Sequence, residues 1–250
     1  MSKQLPTNQT VNDQNLHYHD RLLANQPFHN MHYRESTESY FPRLFQAIMK
    51  SCGLVEPQQR FKLEQSQRFR VEVMGSNPMP LSLLEFLVKT LNARVCLEIG
   101  CFIGLSALSM ASAQAPGGKV HTIEKFDEFA AIANRNFAAN GMADRITLHL
   151  GDALDVLPSL LPGMSVDLAF IDGNKERYLD YFGLIAPAVR PGGIMIFDDA
   201  LYHGDVLNDN PIDAKGAGVK AMLDAVATEN GFHRSLLPIG NGLLLMHKAA

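Results

Sequence analysis

The chain has 250 residues, of which 46% are apolar and 19% charged, so it is long enough to bury a large core in one or two domains. A net charge of -4 argues against a protein whose main task is to neutralise phosphates, and so against a nucleic-acid partner. Three cysteines are too few for a disulfide framework, which favours a reducing, cytoplasmic location. No apolar stretch reaches the roughly 18 residues of a membrane span, and no signal-peptide core is visible, so we expect neither a membrane nor a secretory function.

The first part of the chain, residues 1–70, is rich in Gln, Asn and His and has only scattered apolar positions. We predict an N-terminal helical extension whose start is flexible. In ESYFPRLFQAIMKSCG the apolar residues follow the helical period, which predicts a helix that ends near Gly53. A second helix is expected from about Leu81 to Asn92. The remaining residues, 71–250, are predicted to form the main domain.

From Ala93 onward short apolar runs alternate with longer stretches of helical period. This alternation is typical of βαβ units and predicts an α/β fold, a Rossmann-like, doubly wound, mostly parallel sheet. The last forty or so residues predict one more helix and two strands around Gly240-Asn241-Gly242, which we interpret as an antiparallel hairpin. The strand-like runs are VCLEIG, KVHTIE, ITLHLGD, VDLAFID, GIMIFDD, HRSLLPIG and GLLLMHK.

The negative charge belongs to the α/β part. Residues 1–91 hold 10 Lys and Arg against 8 Asp and Glu, whereas residues 92–250 hold 12 against 18, so the two parts carry +2 and -6. In a doubly wound sheet, ligands bind at the carboxyl ends of the strands. The acidic residues that end the apolar runs are therefore the first candidates for function.

Three of these acidic residues indicate a nucleoside cofactor. Glu98 ends the first run and is followed by a glycine turn that begins at Gly100, and Glu124 ends the second run, where a carboxylate can accept both ribose hydroxyls. Asp152 ends the third run, beside the expected position of an adenine amino group. The glycine turn reads G-C-F-I-G, and its bulky Phe102 and Ile103 would keep a pyrophosphate from the backbone. S-adenosylmethionine is therefore favoured over a dinucleotide.

The next two strand ends carry a second acidic group. Asp172 ends the fourth run, and Asp198 and Asp199 end the fifth. Three carboxylates at neighbouring strand ends repel each other unless something compensates their charge. A hard divalent cation with oxygen ligands would do so, although helix capping is an alternative use for one or two of them.

The motifs LEIGCFIGLSAL, TIEK, GDA, FIDGNKERYLDYF, RPGGIMIFDDALYHGDV and LLPIGNGLLLMHK resemble, in that order, the cation-dependent O-methyltransferases that include caffeoyl-CoA and catechol O-methyltransferases. The resemblance extends from about Met74 to the C-terminus. It implies a methionine-binding loop with Glu98, a ribose contact at Glu124 and an adenine border at Asp152. The full set of cofactor-binding residues that it implies is Met74, Ser76, Glu98, Gly100, Ser106, Glu124, Asp152, Ala153 and Asp172.

The same resemblance places the metal ligands on Asp172, Asp198 and Asp199 and the general base on Lys175. The family commonly has Asp-Asn where this chain has Asp198-Asp199, so the site would carry one extra negative charge. Magnesium is the expected cation, with calcium or manganese as alternatives, since all three accept oxygen ligands.

The resulting hypothesis is a cytoplasmic enzyme that transfers a methyl group from S-adenosylmethionine to a hydroxyl of a vicinal-dihydroxy aromatic, catechol-like molecule. A small phenolic substrate and, by resemblance, a homodimer are expected, without membrane or nucleic-acid partners. The main alternative is a tRNA hydroxyuridine O-methyltransferase, against which the lack of a dense Lys/Arg stripe argues. A nicotinamide-dependent oxidoreductase and a non-catalytic cofactor-binding module are further alternatives. The glycine turn disfavours the first of these, and the candidate base and metal ligands disfavour the second.

Overall fold

The computed structural model describes residues 37–66 and 78–249. Two compact units are distinguished, residues 1–52 and 53–250. In the first unit, the described part contains helix α1 (Thr37–Ser51), which confirms the helix expected there. The predicted boundary after residue 70 falls outside the described residues and stays a prediction. No helix in the described ranges is both long and apolar enough to cross a membrane.

The second unit is built on a seven-stranded sheet in the order β3-β2-β1-β4-β5-β7-β6. Strands β1 to β5 are parallel, whereas β7 runs antiparallel to β5 and β6. This confirms the Rossmann-like fold and the terminal hairpin. The strands are β1 (Val95–Ile99), β2 (Lys119–Glu124), β3 (Ile146–Leu150), β4 (Val166–Ile171), β5 (Val189–Phe197), β6 (Phe232–Leu237) and β7 (Leu243–Lys248).

Helices cover both faces of the sheet. Because successive strand residues point to opposite faces, a central strand contributes to two separate apolar clusters. In β4, Leu168 and Phe170 belong to one cluster, and Ala169 and Ile171 belong to the other. The helices of this unit are α2 (Pro57–Arg60), α3 (Pro78–Thr90), α4 (Leu105–Ala113), α5 (Asp127–Ala139), α6 (Ala153–Leu160), α7 (Tyr178–Ile185) and α8 (Ala214–Ala227). The first cluster contains buried residues of α3, α4 and α5, and the second contains buried residues of α6, α7 and α8.

Two boundaries differ from the sequence prediction. Helix α3 begins at Pro78 rather than Leu81, because prolines are tolerated in the first turn, where backbone N–H groups need no helical partner. Strand β5 already begins at Val189, so the helical stretch that seemed to continue to Arg190 ends at Ile185. Helix α6 contains Pro158 and was not anticipated from its short apolar pattern.

Asn136 of α5 and Asn140, the residue that follows this helix, bind the segment around Lys62 and Glu64. Asn136 accepts from the Glu64 N–H at 2.6 Å and donates to the carbonyls of Glu64 and Ile103 at 3.1 and 2.9 Å. Asn140 accepts from the Lys62 N–H at 3.0 Å and donates to the Lys62 carbonyl at 2.8 Å. Two residues that are four apart in a helix are separated by about 6 Å along its axis, close to the roughly 6.6 Å that two residues of extended chain cover. The two amides therefore match alternate residues of the segment.

We expect Asn136→Ala to lower the free energy of unfolding by about 1–3 kcal/mol, since it leaves the buried Ile103 carbonyl and the Glu64 backbone without their partner. Denaturant titration measures the change. Asn134→Ala, on the exposed face of the same helix, is the matched control and should change stability by less than about 0.5 kcal/mol. Equal losses in both variants would contradict this role of Asn136.

Candidate active site

The loop after β1 approaches the backbone of the β4 end. Gly100 has φ 94°, and a Cβ there would lie 2.4 Å from the Asp172 carbonyl oxygen. The N–H groups of Gly100 and Cys101 donate to the Ile123 carbonyl, which ties the loop to β2. Gly104, with φ 93°, lies just before α4 and against the Phe137 ring. Glycine is therefore required at both positions, and the predicted tight turn is confirmed.

Glu98 is fully buried beneath this loop. Its Oε2 accepts from the Thr122 hydroxyl, while its Oε1 finds no partner within residues 37–66 and 78–249. Burial raises the pKa of Glu98 to about 7, against the opposing effect of hydrogen bonds from Ser106 and Thr122. A buried oxygen that lacks a donor is suited to a cationic ligand group.

Glu124 is oriented by the backbone around it. Its Oε2 accepts from the Phe102 N–H at 2.7 Å and its Oε1 from the Phe126 N–H at 2.9 Å. Burial raises the pKa of Glu124, and these hydrogen bonds oppose the shift. Each carboxylate oxygen has a second lone pair, so the side chain can still accept ribose hydroxyls.

Asp152 is already engaged in the structure. Its Oδ1 caps α6 by accepting from the Leu154 N–H at 3.0 Å, and its Oδ2 lies 2.9 Å from the Lys125 ammonium. The hydrogen bond from Lys125 holds the pKa of Asp152 below its usual range. Ala153, the next residue, is buried in the first turn of α6.

Two large exposed apolar side chains lie next to these two carboxylates in sequence, and sequence reasoning did not single them out. Phe126 is 58% exposed two residues after Glu124, and Leu150 is 53% exposed two residues before Asp152. Exposed apolar side chains beside polar groups become candidates for ligand contact where they form one patch. Their position directly beside acidic strand ends was the signal that could have found them.

The second acidic group converges on one ammonium. The Lys175 Nζ lies 2.5 Å from Asp172 Oδ1 and 3.0 Å from Asp199 Oδ2, and the lysine side chain is only 12% exposed. Backbone bonds fix the strand ends, because the Asp172 N–H donates to the Ile99 carbonyl and the Asp198 N–H to the Ile171 carbonyl. The structure thus brings together all four residues predicted at these strand ends.

Burial and mutual repulsion make this group electrostatically unusual. Burial, reinforced by Asp172 and Asp199, raises the pKa of Asp198 to about 7. Burial also raises the pKa of Asp172, against the attraction of Lys175. The pKa of Lys175 is raised as well, since burial, which would lower it, is outweighed by the nearby Asp172, Tyr178 and Asp199. Three carboxylates with one ammonium leave an excess of negative charge.

A divalent cation fits this site by the type of its ligands but not by their present arrangement. By type, the carboxylates of Asp172, Asp198 and Asp199 suit a hard cation. No three His, Cys, Asp or Glu side chains among the described residues are arranged to hold a metal ion, and the Lys175 ammonium provides the positive charge between Asp172 and Asp199. A cation would therefore require these side chains to shift.

The remaining predicted cofactor residues divide into two groups. Ser106 is buried in the first turn of α4, close enough to hydrogen-bond Glu98. Met74 and Ser76 lie outside the described residues. The predicted cofactor-binding loop after β1 meets the cluster of Asp172, Asp198, Asp199 and Lys175 where Gly100 lies against Asp172.

Comparisons with known proteins identify the family. Residues 59–249 match the sequence pattern of the O-methyltransferase family. The probable caffeoyl-CoA O-methyltransferase 2 of Dictyostelium discoideum is 29% identical over 206 residues, 81% of this chain and 89% of that protein. The catechol O-methyltransferase of Mycobacterium tuberculosis is 32% identical over 145 residues, 58% of this chain and 65% of that protein.

Solved structures agree with this assignment. The O-methyltransferase TomG from Streptomyces achromogenes, involved in tomaymycin synthesis and solved with SAM, has a TM-score of 0.68 and 30% identity, covering 71% of this chain and 82% of that one. An O-methyltransferase from Bacillus cereus in complex with SAH has a TM-score of 0.67 at 23% identity over 93% of this chain and 96% of that one, which shows the shared fold. The chain therefore belongs to the O-methyltransferase family and is an S-adenosylmethionine-dependent O-methyltransferase.

Proposed function

We propose that this methyltransferase acts, with a divalent cation, on one hydroxyl of a vicinal-dihydroxy aromatic, catechol-like molecule. The carrying observation is that Lys175 pairs with Asp172 and with Asp199, which follows Asp198, and that Asp172 lies against Gly100 in the loop after β1. The names of the caffeoyl-CoA and catechol O-methyltransferases among its relatives support this substrate class.

Asp172, Asp198 and Asp199 would hold the cation. A divalent cation held there would supply Lewis-acid chemistry, which favours the deprotonated form of an acceptor hydroxyl. Burial and the neighbouring carboxylates raise the pKa values of Asp172 and Asp198, and a cation bound beside them would oppose that shift. The chain's own contribution is to place the acceptor oxygen in line with the cofactor methyl group.

Lys175 would receive the hydroxyl proton. In the structure its ammonium form is favoured by ion pairs with Asp172 and Asp199. A base must first be neutral, and once these carboxylates have other partners, the burial of Lys175 favours the amine. Its position beside both carboxylates then lets it accept a proton from an acceptor held there.

The substrate class is tested by incubating the protein with labelled S-adenosylmethionine, a panel of catechols and monophenols, and bulk tRNA, each with and without EDTA. We expect label on catechols, loss of that label with EDTA, and its return with added magnesium. Label on RNA alone would contradict the proposal and favour the tRNA alternative.

The predicted homodimer is checked on the same sample by light scattering.

The proposed base is tested by Lys175→Ala. We expect kcat to fall by about 10²- to 10⁴-fold, because proton transfer is lost, while calorimetric affinity for S-adenosylmethionine stays within about twofold. Lys89→Ala, which removes an exposed lysine in the last turn of α3, is the matched control and should leave kcat unchanged. A parallel loss of cofactor affinity would argue against a role for Lys175 as base.

Glu98 predicts a pH dependence of cofactor binding. Its folded-state pKa of about 7 means that the carboxylate forms only as the pH rises through that value, so an ammonium group of the cofactor should bind more tightly above it. We expect the affinity for S-adenosylhomocysteine, measured by calorimetry without divalent cation, to increase between about pH 5.5 and 7.5, by at most tenfold per pH unit. Glu98→Gln should flatten the profile, and an unchanged slope in that variant would exclude Glu98 as its source.

A further inference from the structure

Tyr178, the first residue of α7, is fully buried beneath the acidic group. Its hydroxyl lies 2.8 Å from the carbonyl oxygen of Asp198 and 3.2 Å from that of Ile171. A phenol has one proton to donate, and the Ile171 carbonyl already accepts from the Asp198 N–H at 3.0 Å. The shorter bond, to the Asp198 carbonyl, is therefore the main one.

This bond fixes the peptide group that joins Asp198 to Asp199. Tyr178 holds the carbonyl of that peptide, and the carboxylate of Asp198 accepts from its N–H, on Asp199, at 2.8 Å. Both ends of one peptide plane are thus held by side chains. The plane determines where the chain turns after β5.

The turn needs such support, because Asp199 has φ 52°. Aspartate tolerates this left-handed region better than most non-glycine residues, but the conformation still costs free energy and depends on support from its surroundings. The strained backbone directs the Asp199 carboxylate to within 3.0 Å of the Lys175 ammonium. Loss of the Tyr178 hydroxyl would remove one of the bonds that hold this direction.

The aromatic ring of Tyr178 supports the other partner of that ion pair. The Lys175 Nζ lies 5.6 Å from the ring centroid, within the range of a cation–π contact. The ring also packs against Phe197, the last residue of β5, with centroids 5.3 Å apart. One side chain therefore contacts Lys175, the end of β5 and the Asp198–Asp199 peptide.

We infer that Tyr178 is a positioning residue for methyl transfer, which holds the left-handed turn at Asp199 and so sets the geometry of Asp199 against Lys175. It acts through these residues, since it is buried below them and has no exposed surface for substrate or cofactor. The effect on catalysis rests on the proposed function, whereas the effect on the turn does not.

The first test is Tyr178→Phe, which keeps the ring and removes the hydroxyl. We expect kcat to fall on the order of 10- to 100-fold and the cation concentration for half-maximal activity to rise, while the affinity for S-adenosylmethionine stays within about twofold. A variant with wild-type kcat and cation requirement would overturn the inference, whatever its melting temperature. Loss of cofactor affinity in proportion to kcat would overturn it too.

Lys248→Met is the control for stability. Lys248 donates to the carbonyls of Ala186 and Val189 at 2.8 and 2.7 Å. These contacts lie where β5 begins, at the end of the strand opposite to the site. We expect this variant to melt at a lower temperature with unchanged kcat and cation requirement. If it reproduces the kinetic profile of Tyr178→Phe, general destabilisation explains both variants and the inference fails.

The second test needs no enzymatic activity and so separates this inference from the proposed function. Thermal unfolding is compared for wild type, Tyr178→Phe, Asp199→Gly and the double variant, since glycine adopts the left-handed turn without strain. We expect Tyr178→Phe to lower the melting temperature less in the Asp199→Gly background than in the wild-type background. Equal effects, or a Tyr178→Phe chain that fails to fold in both backgrounds, would overturn the inference.

Discussion

The site depends on one ammonium group placed among carboxylates that repel each other. Lys175 lies within 3.0 Å of both Asp172 and Asp199, and the three side chains are only partly exposed, the lysine least of all at 12%. In such a partly buried region like charges interact more strongly than at the surface, and an isolated carboxylate favours its protonated form. Burial, reinforced by the negative charges of Asp172 and Asp199, raises the pKa of Asp198 to about 7, and the Lys175 ammonium only partly opposes this shift.

The backbone places these charged residues next to the loop after β1. Gly100 leaves no room for a side chain between itself and the Asp172 carbonyl, so the ends of β1 and β4 approach each other at the point where the strand order reverses. Doubly wound sheets place their ligands at this point. A methyl donor held by the β1 loop and an acceptor held near Asp172 would be neighbours without any further element.

Much of this arrangement could be predicted because the acidic residues end buried strands. Parallel pairing then brings Glu98, Glu124 and Asp172 to one edge of the sheet whatever the loops do. The ion pairs of Lys175 could not be predicted, since they depend on a turn after β5 whose backbone is left-handed at Asp199. The use of Asp152 as a helix cap was also missed, because α6 is short and interrupted by proline. Nor does local periodicity reveal that Asn136 binds the segment around Glu64, 72 residues earlier.

The turn at Asp199 explains how the backbone accommodates aspartate where the family usually has asparagine. Asparagine and aspartate are the non-glycine residues that best tolerate the left-handed region, because their short polar side chains bond locally. Either residue therefore fits the backbone at position 199, and the difference lies in charge. Aspartate gives Lys175 a second ion pair at 3.0 Å, which an amide could not provide. The extra charge thus tightens the hold on the lysine proton in the free protein, so release of that proton depends more strongly on what else binds the carboxylates.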